Sequence, residues 1–204
     1  MAQSSSRPRR AGRPRQPIPR GTLLAVACSA FAEKGYAGAS MGEIAERAGL
    51  RKASLFHHFR SKALLYTEVL AETLGDLGQL VSAVQGDAGE FLERLDRLSD
   101  QVTAYLGGNP EAARLLIREL VDSGPFSTRE GSEIVQASLA GVAGLLASGM
   151  ESGAIPRQDP LQLAWSMVGL HLLWFAAPHV LRHAMHGGIF DPENIESRSR
   201  ATRA

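Results

Sequence analysis

The apolar positions of the chain recur at helical spacing from residue 20 onward. Between Arg20 and Lys34 they fall every three or four residues, which predicts an amphipathic helix whose buried face carries Leu23, Leu24, Ala27, Cys28 and Phe31. Gly35 follows, where a left-handed C-cap is expected. No segment alternates apolar and polar residues as a half-buried strand would, so the pattern predicts an all-α fold.

Two short helices are expected next. Ser40 and Glu43 match a capping box, in which each side chain satisfies a backbone amide of the other residue at a helix start. Gly49 ends this helix, and a second short helix is predicted over about 51–59. Ser61 is then a plausible N-cap for a longer helix.

The rest of the chain carries further helix-start signals. Asp87 is expected to cap a helix that reaches Leu106, and Ser127 to start one that ends near Gly153. Three cap residues precede a proline at the first helical position: Asn109-Pro110, Asp159-Pro160 and Asp191-Pro192.

Charge is distributed unevenly between the two parts of this chain. Its formal net charge is +1, but residues 1–62 carry a net charge of +9 and residues 63–204 a net charge of −8. A basic end on a nearly neutral protein suggests a polyanionic partner that contacts this end only.

The composition argues for a cytoplasmic protein that does not enter a membrane. Cys28 is the single cysteine, which excludes an internal disulfide and fits a reducing compartment. It lies on the buried stripe of the first helix, so a structural thiol is favoured over a redox sensor. The apolar stretch 161–181 is interrupted by polar residues and proline, which favours a buried helix over a membrane span.

Residues 48–62 have the layout of a helix-turn-helix, with a tight turn followed by a two-turn helix bearing polar and basic side chains. Together with its flanks, the segment 20–70 resembles the DNA-binding domain of the TetR family. The matching residues are Ala30-Phe31, Glu33, Gly35-Tyr36, Ser40-Met41, Ile44-Ala45, Ala48-Gly49-Leu50, Ser54-Leu55-Phe56-His57-His58-Phe59 and Ser61-Lys62. The remaining residues are similar to the family only in length and helical character.

The resemblance implies a homodimer, an operator with dyad symmetry, and release from DNA by a small molecule. We therefore expect a ligand-responsive repressor with three parts: a disordered basic arm (1–19), a three-helix helix-turn-helix domain (20–66), and a larger helical bundle that binds ligand and dimerises (67–204). Motifs for a phosphate loop, a nucleophile elbow or a paired metal site are absent from the sequence, so we do not expect an enzyme.

The second helix of the motif is expected to read DNA. Leu50, Leu55 and Phe59 would point into the domain core and leave the opposite face for base and phosphate contacts. Ser40 and Lys62, at helix starts, would hold phosphates. The predicted contacts in this domain are Ser40, Arg51, Lys52, Ser54, Phe56, His57, His58 and Lys62.

Two of these residues depart from the family pattern. The family commonly has a serine cap at the position of Arg51, and arginine cannot cap, so Arg51 is expected to contact DNA. The usual tyrosine is Phe56, which keeps a packing role but lacks the hydroxyl that would bond a phosphate. His57 and His58 could strengthen binding as the pH falls, or could remain neutral and simply form hydrogen bonds.

The N-terminal arm contains a second DNA-binding signal. Residues 9–15 resemble an AT-hook core, in which Arg13 and Arg15 would lie along a narrow minor groove. A generic basic tail that raises nonspecific affinity explains the same residues. An architectural minor-groove protein is therefore the alternative function.

The regulatory part offers candidate ligand contacts. An apolar pocket with a few polar groups is typical of a small-molecule site, which predicts a small, largely apolar effector and no cofactor. Arg114 and Glu119 could supply further polar groups, although ordinary helix-bundle core is the favoured explanation for any single one of the aromatic residues. The candidate contacts are Phe91, Tyr105, Arg118, Phe126, Trp165, His171 and Trp174.

The last part of the chain is expected to form the dimer. The helix at 160–186 with part of 191–204 would build a four-helix interface, or the small-residue face at 137–147 would contribute. His179, His183 and His186 share a helix face at i, i+4 and i+7, a spacing that can hold a metal. Surface or interface histidines are favoured, because carboxylates are absent from 160–190.

Overall fold

A computed structural model describes residues 18–122, 129–176, 178–181 and 185–203. These residues form ten helices and no strand, which confirms the all-α prediction. The helices are α1 (Arg20–Gly38), α2 (Met41–Arg47), α3 (Lys52–His58), α4 (Lys62–Gln85), α5 (Phe91–Gly108), α6 (Pro110–Asp122), α7 (Arg129–Glu151), α8 (Pro160–Ala176), α9 (Pro178–Leu181) and α10 (Pro192–Thr202).

The helix-turn-helix turns at two glycines. Gly35 has φ 71° and interrupts α1, so the residues after it run in a new direction. Gly49 has φ 67° between α2 and α3, and this conformation lets the amide of Leu50 bond the carbonyl of Ala45 at 2.8 Å. Glycine adopts positive φ without steric cost, so both positions depend on the missing Cβ.

Several predicted helix starts are confirmed by hydrogen bonds. The Ser61 hydroxyl accepts from the amide of Leu64 at 3.1 Å, and the Asp159 carboxylate accepts from the amide of Leu161 at 2.8 Å. At α10 the proline stands at the first position as expected. The Asp191 side chain, however, accepts from the Gly188 amide instead of capping the helix.

Two predicted boundaries are wrong. Asp87 does not cap α5, which begins at Phe91; its carboxylate lies 3.4 Å from the guanidinium of Arg97, nearly two turns inside that helix. The helix expected over 160–186 does not reach its predicted end, because residues 185–187 form a bend. Ser127 lies outside the described residues.

The helices pack around two clusters of buried side chains. One cluster joins the helix-turn-helix to the bundle, because Phe31 of α1, Leu55 of α3, Leu70 of α4, Leu115 of α6 and Phe175 of α8 belong to it. The second lies further from the DNA-binding end, among α4, α5, α7 and α8. Helix α6 packs on both α1 and α8 and so touches both parts of the molecule.

Among the described residues, one helix has the length and composition of a membrane span. Within α7, residues Ser132–Glu151 have a mean hydropathy of 1.3. Core helices of soluble proteins share these properties, and α7 packs against α4 and α8 in the bundle.

Candidate functional site

Helix α3 is held in the three-helix domain by one apolar face. Leu55 is fully buried, Phe59 is 1% exposed, and Leu50 is partly buried against the same core, as predicted. These anchors fix the rotation of the helix, so its opposite face is presented to solvent. That face carries the groups that could contact DNA.

The exposed face of α3 holds most of the predicted contacts. Arg51, Lys52, Phe56, His57 and His58 are all exposed, and only Ser54 is partly buried. The Lys52 ammonium lies 5.9 Å from the centroid of the Phe56 ring, so the two side chains extend together.

Arg51 occupies the N-cap position of α3 and its side chain forms no cap hydrogen bond. Among the residues that the structure covers, neither Arg51 nor Lys52 takes part in an ion pair. Their charges are therefore available to phosphates or base edges.

Two carboxylates of the neighbouring helices, those of Glu33 and Glu43, are paired with local cations. Glu43 of α2 is contacted by the Lys34 ammonium at 2.8 Å and the Arg47 guanidinium at 2.6 Å, and Arg47 also contacts Glu33 at 2.7 Å. The Lys34 hydrogen bond is the largest of the contributions that lower the pKa of Glu43. The pairing keeps these acidic groups from opposing the positive charge of α3.

The capping box at Ser40 forms in one direction. The Ser40 hydroxyl accepts from the amide of Glu43 at 3.2 Å, while the Glu43 carboxylate points to Lys34 and Arg47. The reciprocal bond is lost because two cations outcompete a neutral amide for the carboxylate. Ser40 itself remains exposed at the helix start.

Lys62 is engaged inside the domain. Its ammonium donates to the carbonyl oxygens of Tyr36 at 2.7 Å, Ala39 at 3.1 Å and Ala37 at 3.5 Å, and lies 4.4 Å from the Tyr36 ring centroid. A phosphate would have to compete with these carbonyls. The position of Lys62 at a helix start predicted a phosphate contact. In the structure its nearest acceptors are instead the unpaired carbonyls that follow the break at Gly35.

Arg60 is a basic group that the predicted contacts omitted. It is exposed directly after α3, next to the exposed face of that helix. Its position in the basic stretch 51–62 is the sequence signal that could have identified it as a DNA contact. Arg13 and Arg15 of the arm lie outside the described residues.

A cavity of about 150 Å³ lies inside the bundle. Its wall is mainly aliphatic and comes from the inward faces of α4 to α8. The lining residues are Leu70, Leu74, Leu77, Gly78, Val81, Leu98, Ser99, Val102, Leu106, Leu116, Glu119, Leu120, Val135, Ser138, Leu139, Val142, Trp165, Met167, Val168, His171 and Leu172.

Two of the candidate ligand contacts, Trp165 and His171, line this cavity. Phe91 is instead buried in the second core cluster, where its ring fills the space beside Gly149. Trp174 packs against the first cluster under the guanidinium of Arg198, 4.8 Å from the ring centroid. Phe126 lies outside the described residues.

Tyr105 faces a separate cleft of about 320 Å³ between the helix-turn-helix and the bundle. Its hydroxyl donates to the Asp76 carboxylate at 3.1 Å. Cys28 lines the same cleft, where burial and the nearby carboxylates of Glu111 and Glu72 raise the pKa of its thiol to about 12. Such a thiol stays protonated at neutral pH and is a poor nucleophile.

Arg118 and Glu119 are adjacent in α6 and point in different directions. Arg118 donates to the backbone carbonyls of Ala32 at 3.0 Å and Glu33 at 3.3 Å in α1, whereas Glu119 lines the cavity. Consecutive helical residues are about 100° apart around the axis, so one helix turn can serve both surfaces. Sequence spacing alone could not tell which residue faced which way.

His171 provides a second polar point in the cavity wall. Its Nδ1 lies 2.9 Å from the Met167 carbonyl, which can only accept, so Nδ1 carries the proton. Nε2 then accepts from the Ser99 hydroxyl at 3.1 Å, and Ser99 lies 2.8 Å from Thr202 Oγ1 in α10. Burial is the main cause that lowers the pKa of His171, so the imidazole is neutral near pH 7.

Two members of the histidine triplet lie on described residues. His179 belongs to α9 and His186 to a bend after it, and His183 lies outside the described residues. Within the described ranges, no three His, Cys, Asp or Glu side chains are grouped so that they could hold a metal ion.

Two family models match this chain. The model described as "Bacterial regulatory proteins, tetR family" matches residues 23–69, which include the helix-turn-helix. The model described as "Tetracyclin repressor-like, C-terminal domain" matches residues 92–203, more than half of the chain.

Characterised relatives carry regulator names. The transcriptional activator FasR of Mycolicibacterium smegmatis is 40% identical over 86 residues, which are 42% of this chain and 38% of FasR, so the match spans little more than a third of that protein. The transcriptional regulator RutR of Escherichia coli K12 is 26% identical over 77% of this chain and 71% of its own length.

Solved structures share the whole fold at low identity. AibR in complex with isovaleryl coenzyme A and operator DNA has a TM-score of 0.68 and 20% identity, over 89% of this chain and 94% of that one. FadR from Bacillus subtilis with stearoyl-CoA has a TM-score of 0.63 and 18% identity, over 90% and 97%. With a family match over the helix-turn-helix and another over the C-terminal half, the chain belongs to the TetR family of bacterial transcriptional regulators.

Proposed function

We propose that this regulator is a dimeric repressor that binds a palindromic operator and leaves it when a small, largely apolar effector enters the bundle. The observation that carries the proposal is the position of α6, which lines the cavity with one side and contacts α1 with another. An effector that prefers one arrangement of α6 would shift the population between DNA-binding and released states. Such a protein works in the cytoplasm, where its DNA is.

The proposed division of labour follows the helices. Residues 20–66 bind DNA, residues 67–204 bind the effector and dimerise, and residues 1–19 form an arm that adds minor-groove or nonspecific contacts. Helix α4 runs through the boundary at 66 without a break, so its movement would carry the helix-turn-helix with it.

The proposed base and phosphate contacts lie on and beside α3. Arg51, Lys52 and His58 can donate to base edges or phosphates, and the exposed Phe56 ring can pack on a thymine methyl or a sugar. Ser40, Ser54 and His57 complete this surface, and Arg60 extends it. Lys62 contributes by holding the end of α1 in place, as its three carbonyl contacts suggest.

The effector is proposed to place an apolar group against Trp165 and His171. A dry cavity of this volume in another protein accepts benzene, so the space suits a group of that size. The acyl-coenzyme A ligands named for AibR and FadR also present an apolar group. A long acyl chain would require the helices around the cavity to separate.

The proposed dimer surface is the outer face of α8 and α9. Large apolar side chains there are exposed in the single chain: Leu161 48%, Trp165 48%, Leu170 48%, Leu173 64% and Val180 62%. A second copy of the chain is the occupant that a symmetric operator requires, since its two half-sites need two recognition helices. Helix α10 flanks this surface, because Arg198 donates to the Leu170 carbonyl of α8 and lies over the Trp174 ring.

Selection of bound DNA from a random library tests the DNA-binding proposal. We expect a motif with two-fold symmetry whose half-sites are about one helical turn apart. A selected motif without symmetry would contradict the dimeric repressor. Transcription from the selected operator, measured with and without the protein, separates repression from the activation named for FasR.

Substitution of two lysines tests the placement of the reading face. Lys52→Ala should change the preference at particular base pairs, because its side chain is exposed on α3. Lys62→Ala should weaken all sequences about equally, through loss of its carbonyl contacts and of nearby positive charge. Unchanged selectivity in Lys52→Ala, measured on the selected operator and its single-base variants, would show that the face is assigned incorrectly.

Deletion of residues 1–15 separates the repressor from an architectural minor-groove protein. The repressor keeps its selected motif, because α3 is intact, and loses part of its salt-dependent affinity. An architectural protein would lose specific binding altogether.

A further inference from the structure

The cavity wall contains a carboxylate that is also hydrogen-bonded to the DNA-binding side of the molecule. Glu119 is 9% exposed and lines the cavity, and its Oε2 accepts from the Tyr66 hydroxyl at 2.6 Å. A polar bond of this length between buried groups is strong, because water does not compete for it. The bond therefore links the contents of the cavity to the position of Tyr66.

Tyr66 is an aromatic residue in the second turn of α4 that packs on α1. It is 2% exposed, and its ring lies edge-on to Phe31 at 4.8 Å and to Tyr36 at 5.1 Å between centroids. Tyr36 in turn lies under the Lys62 ammonium, 4.4 Å from the ring centroid. A shift of the Tyr66 ring would disturb the packing that sets the angle between α1 and α4.

The residue beside Glu119 reinforces the link. Arg118 donates to the carbonyls of Ala32 and Glu33, which follow Phe31 in α1. One turn of α6 therefore contacts the cavity, the Tyr66 hydroxyl and the backbone of α1. This turn of α6 is a direct physical connection between an effector in the cavity and the helix-turn-helix.

We propose that the effector carries a hydrogen-bond donor, a hydroxyl or an amine on an apolar body, that Glu119 recognises, and that it acts by drawing this carboxylate away from Tyr66. The inference rests on the proposed effector site and names the chemistry of its ligand. An ionised carboxylate ligand could not make this contact, because it only accepts hydrogen bonds. Turning Glu119 toward the ligand breaks its bond with the buried Tyr66 hydroxyl, and the loss of this bond frees the ring to move.

A pair of isomeric probes tests the donor. 1-Hexanol can donate to Glu119, whereas methyl pentyl ether has the same atoms and no donor. Binding is followed by the fluorescence of Trp165, which lines the cavity, in full-length protein carrying Trp174→Phe. Release is followed by the anisotropy of a labelled operator taken from the random-library selection.

With the otherwise unchanged protein, we expect hexanol to bind roughly three- to tenfold more tightly than the ether, the worth of one net hydrogen bond. Glu119→Met should abolish this preference, while Glu111→Met, in the same helix but on the separate cleft, should retain it. Because Glu119→Met leaves the Tyr66 hydroxyl without this acceptor, the double variant Tyr66→Phe with Glu119→Met, which replaces both partners by apolar groups, is measured beside it.

Tyr66→Phe tests the connection to DNA. It keeps the ring against Phe31 and Tyr36 but removes the hydroxyl, so hexanol should bind at least as tightly and no longer release the operator better than the ether does. Tyr36→Phe, which leaves the Tyr66–Glu119 bond intact, should respond like the unchanged protein.

The outcomes separate this inference from the proposed function. Equal Trp165 responses to both probes would overturn the role of Glu119 and leave the cavity as the effector site. No response to either probe would overturn both. Donor-dependent release that persists in Tyr66→Phe would overturn the role of Tyr66 alone.

Discussion

The imidazole of His171 illustrates what burial does to a single residue. It is 6% exposed in the cavity wall, and both ring nitrogens have partners, the Met167 carbonyl and the Ser99 hydroxyl. A proton added at Nε2 would remove the acceptor that Ser99 uses and would place a charge in an apolar wall. Desolvation therefore lowers the pKa, and the nearby guanidinium of Arg198 acts in the same direction.

The lowered pKa makes stability depend on pH in a defined direction. The unfolded chain binds a proton at the ordinary pKa of 6.5, whereas the folded protein binds it only at lower pH. The contribution of His171 to the free energy of unfolding is thus fully present above 6.5 and decreases as the pH falls below it. Between about pH 8 and about pH 5, the free energy of unfolding measured with urea should fall less in the His171→Gln variant than in the unchanged protein.

The matched control for this comparison is His186→Gln, because His186 is exposed. It should follow the unchanged protein at every pH. If His171→Gln and the unchanged protein lose stability in parallel, the buried neutral imidazole is not the group responsible.

At the scale of helices, packing between α5 and α7 depends on one missing side chain. A Cβ at Gly149 would lie 2.3 Å from the Phe91 ring, well inside van der Waals contact. The ring is 6% exposed and packs within the second core cluster. The small residue of α7 therefore allows the first residue of α5 to be buried.

Two glycine substitutions should change stability in opposite directions. Gly149→Ala should lower the free energy of unfolding by about 1–3 kcal/mol, because the added methyl overpacks the core. Gly75→Ala, in an exposed part of α4 with no atom near the new methyl, should raise it by about 0.5–1 kcal/mol through helix propensity. Urea unfolding of both variants measures the difference, and a destabilised Gly75→Ala would show that propensity is not the controlling term.

At the scale of the whole molecule, the bundle leaves one large apolar face uncovered. Large apolar side chains of α8 and α9 are exposed in a run along one side of the bundle. Such a contiguous patch marks an interaction surface, whereas single scattered apolar residues do not. A symmetric partner would cover this face and would place Trp165 close both to the cavity and to the second copy. Effector binding could then influence the relative orientation of the two copies.

A charge at the centre of this face should separate the copies. Leu173→Glu places two carboxylates near each other across a two-fold interface, so the variant should sediment as a monomer. Its affinity for a two-half-site operator should fall roughly a hundredfold or more, because the two recognition helices no longer bind as a linked pair. Leu92→Glu, on an exposed position of α5, should remain dimeric. A dimeric Leu173→Glu would place the interface elsewhere, with the small-residue stretch 137–147 as the next candidate.

Local patterns were sufficient for the helix-turn-helix and for much of the helix count. Ser61 and Asp159 cap their helices through bonds that reach only two or three residues, so the sequence around them carried the information. The prediction at Asp87 is wrong because Arg97, nearly two helix turns beyond the true start at Phe91, competes for its carboxylate. A helix cap can be predicted when no stronger partner competes for the capping side chain. A nearby arginine binds a carboxylate more strongly than a backbone amide does.

The sequence by itself determined the family, the all-α fold and the exposed face of α3, because each depends on residue types at short fixed spacing. Only the tertiary structure decided that Glu119 and not Arg118 faces the cavity, that Lys62 binds carbonyls of α1, and that Tyr66 joins the two parts. These contacts join residues between 23 and 53 positions apart or depend on how a helix is rotated against its neighbours. Helical periodicity records that a helix has two faces, but the packing of the other helices decides what each face meets.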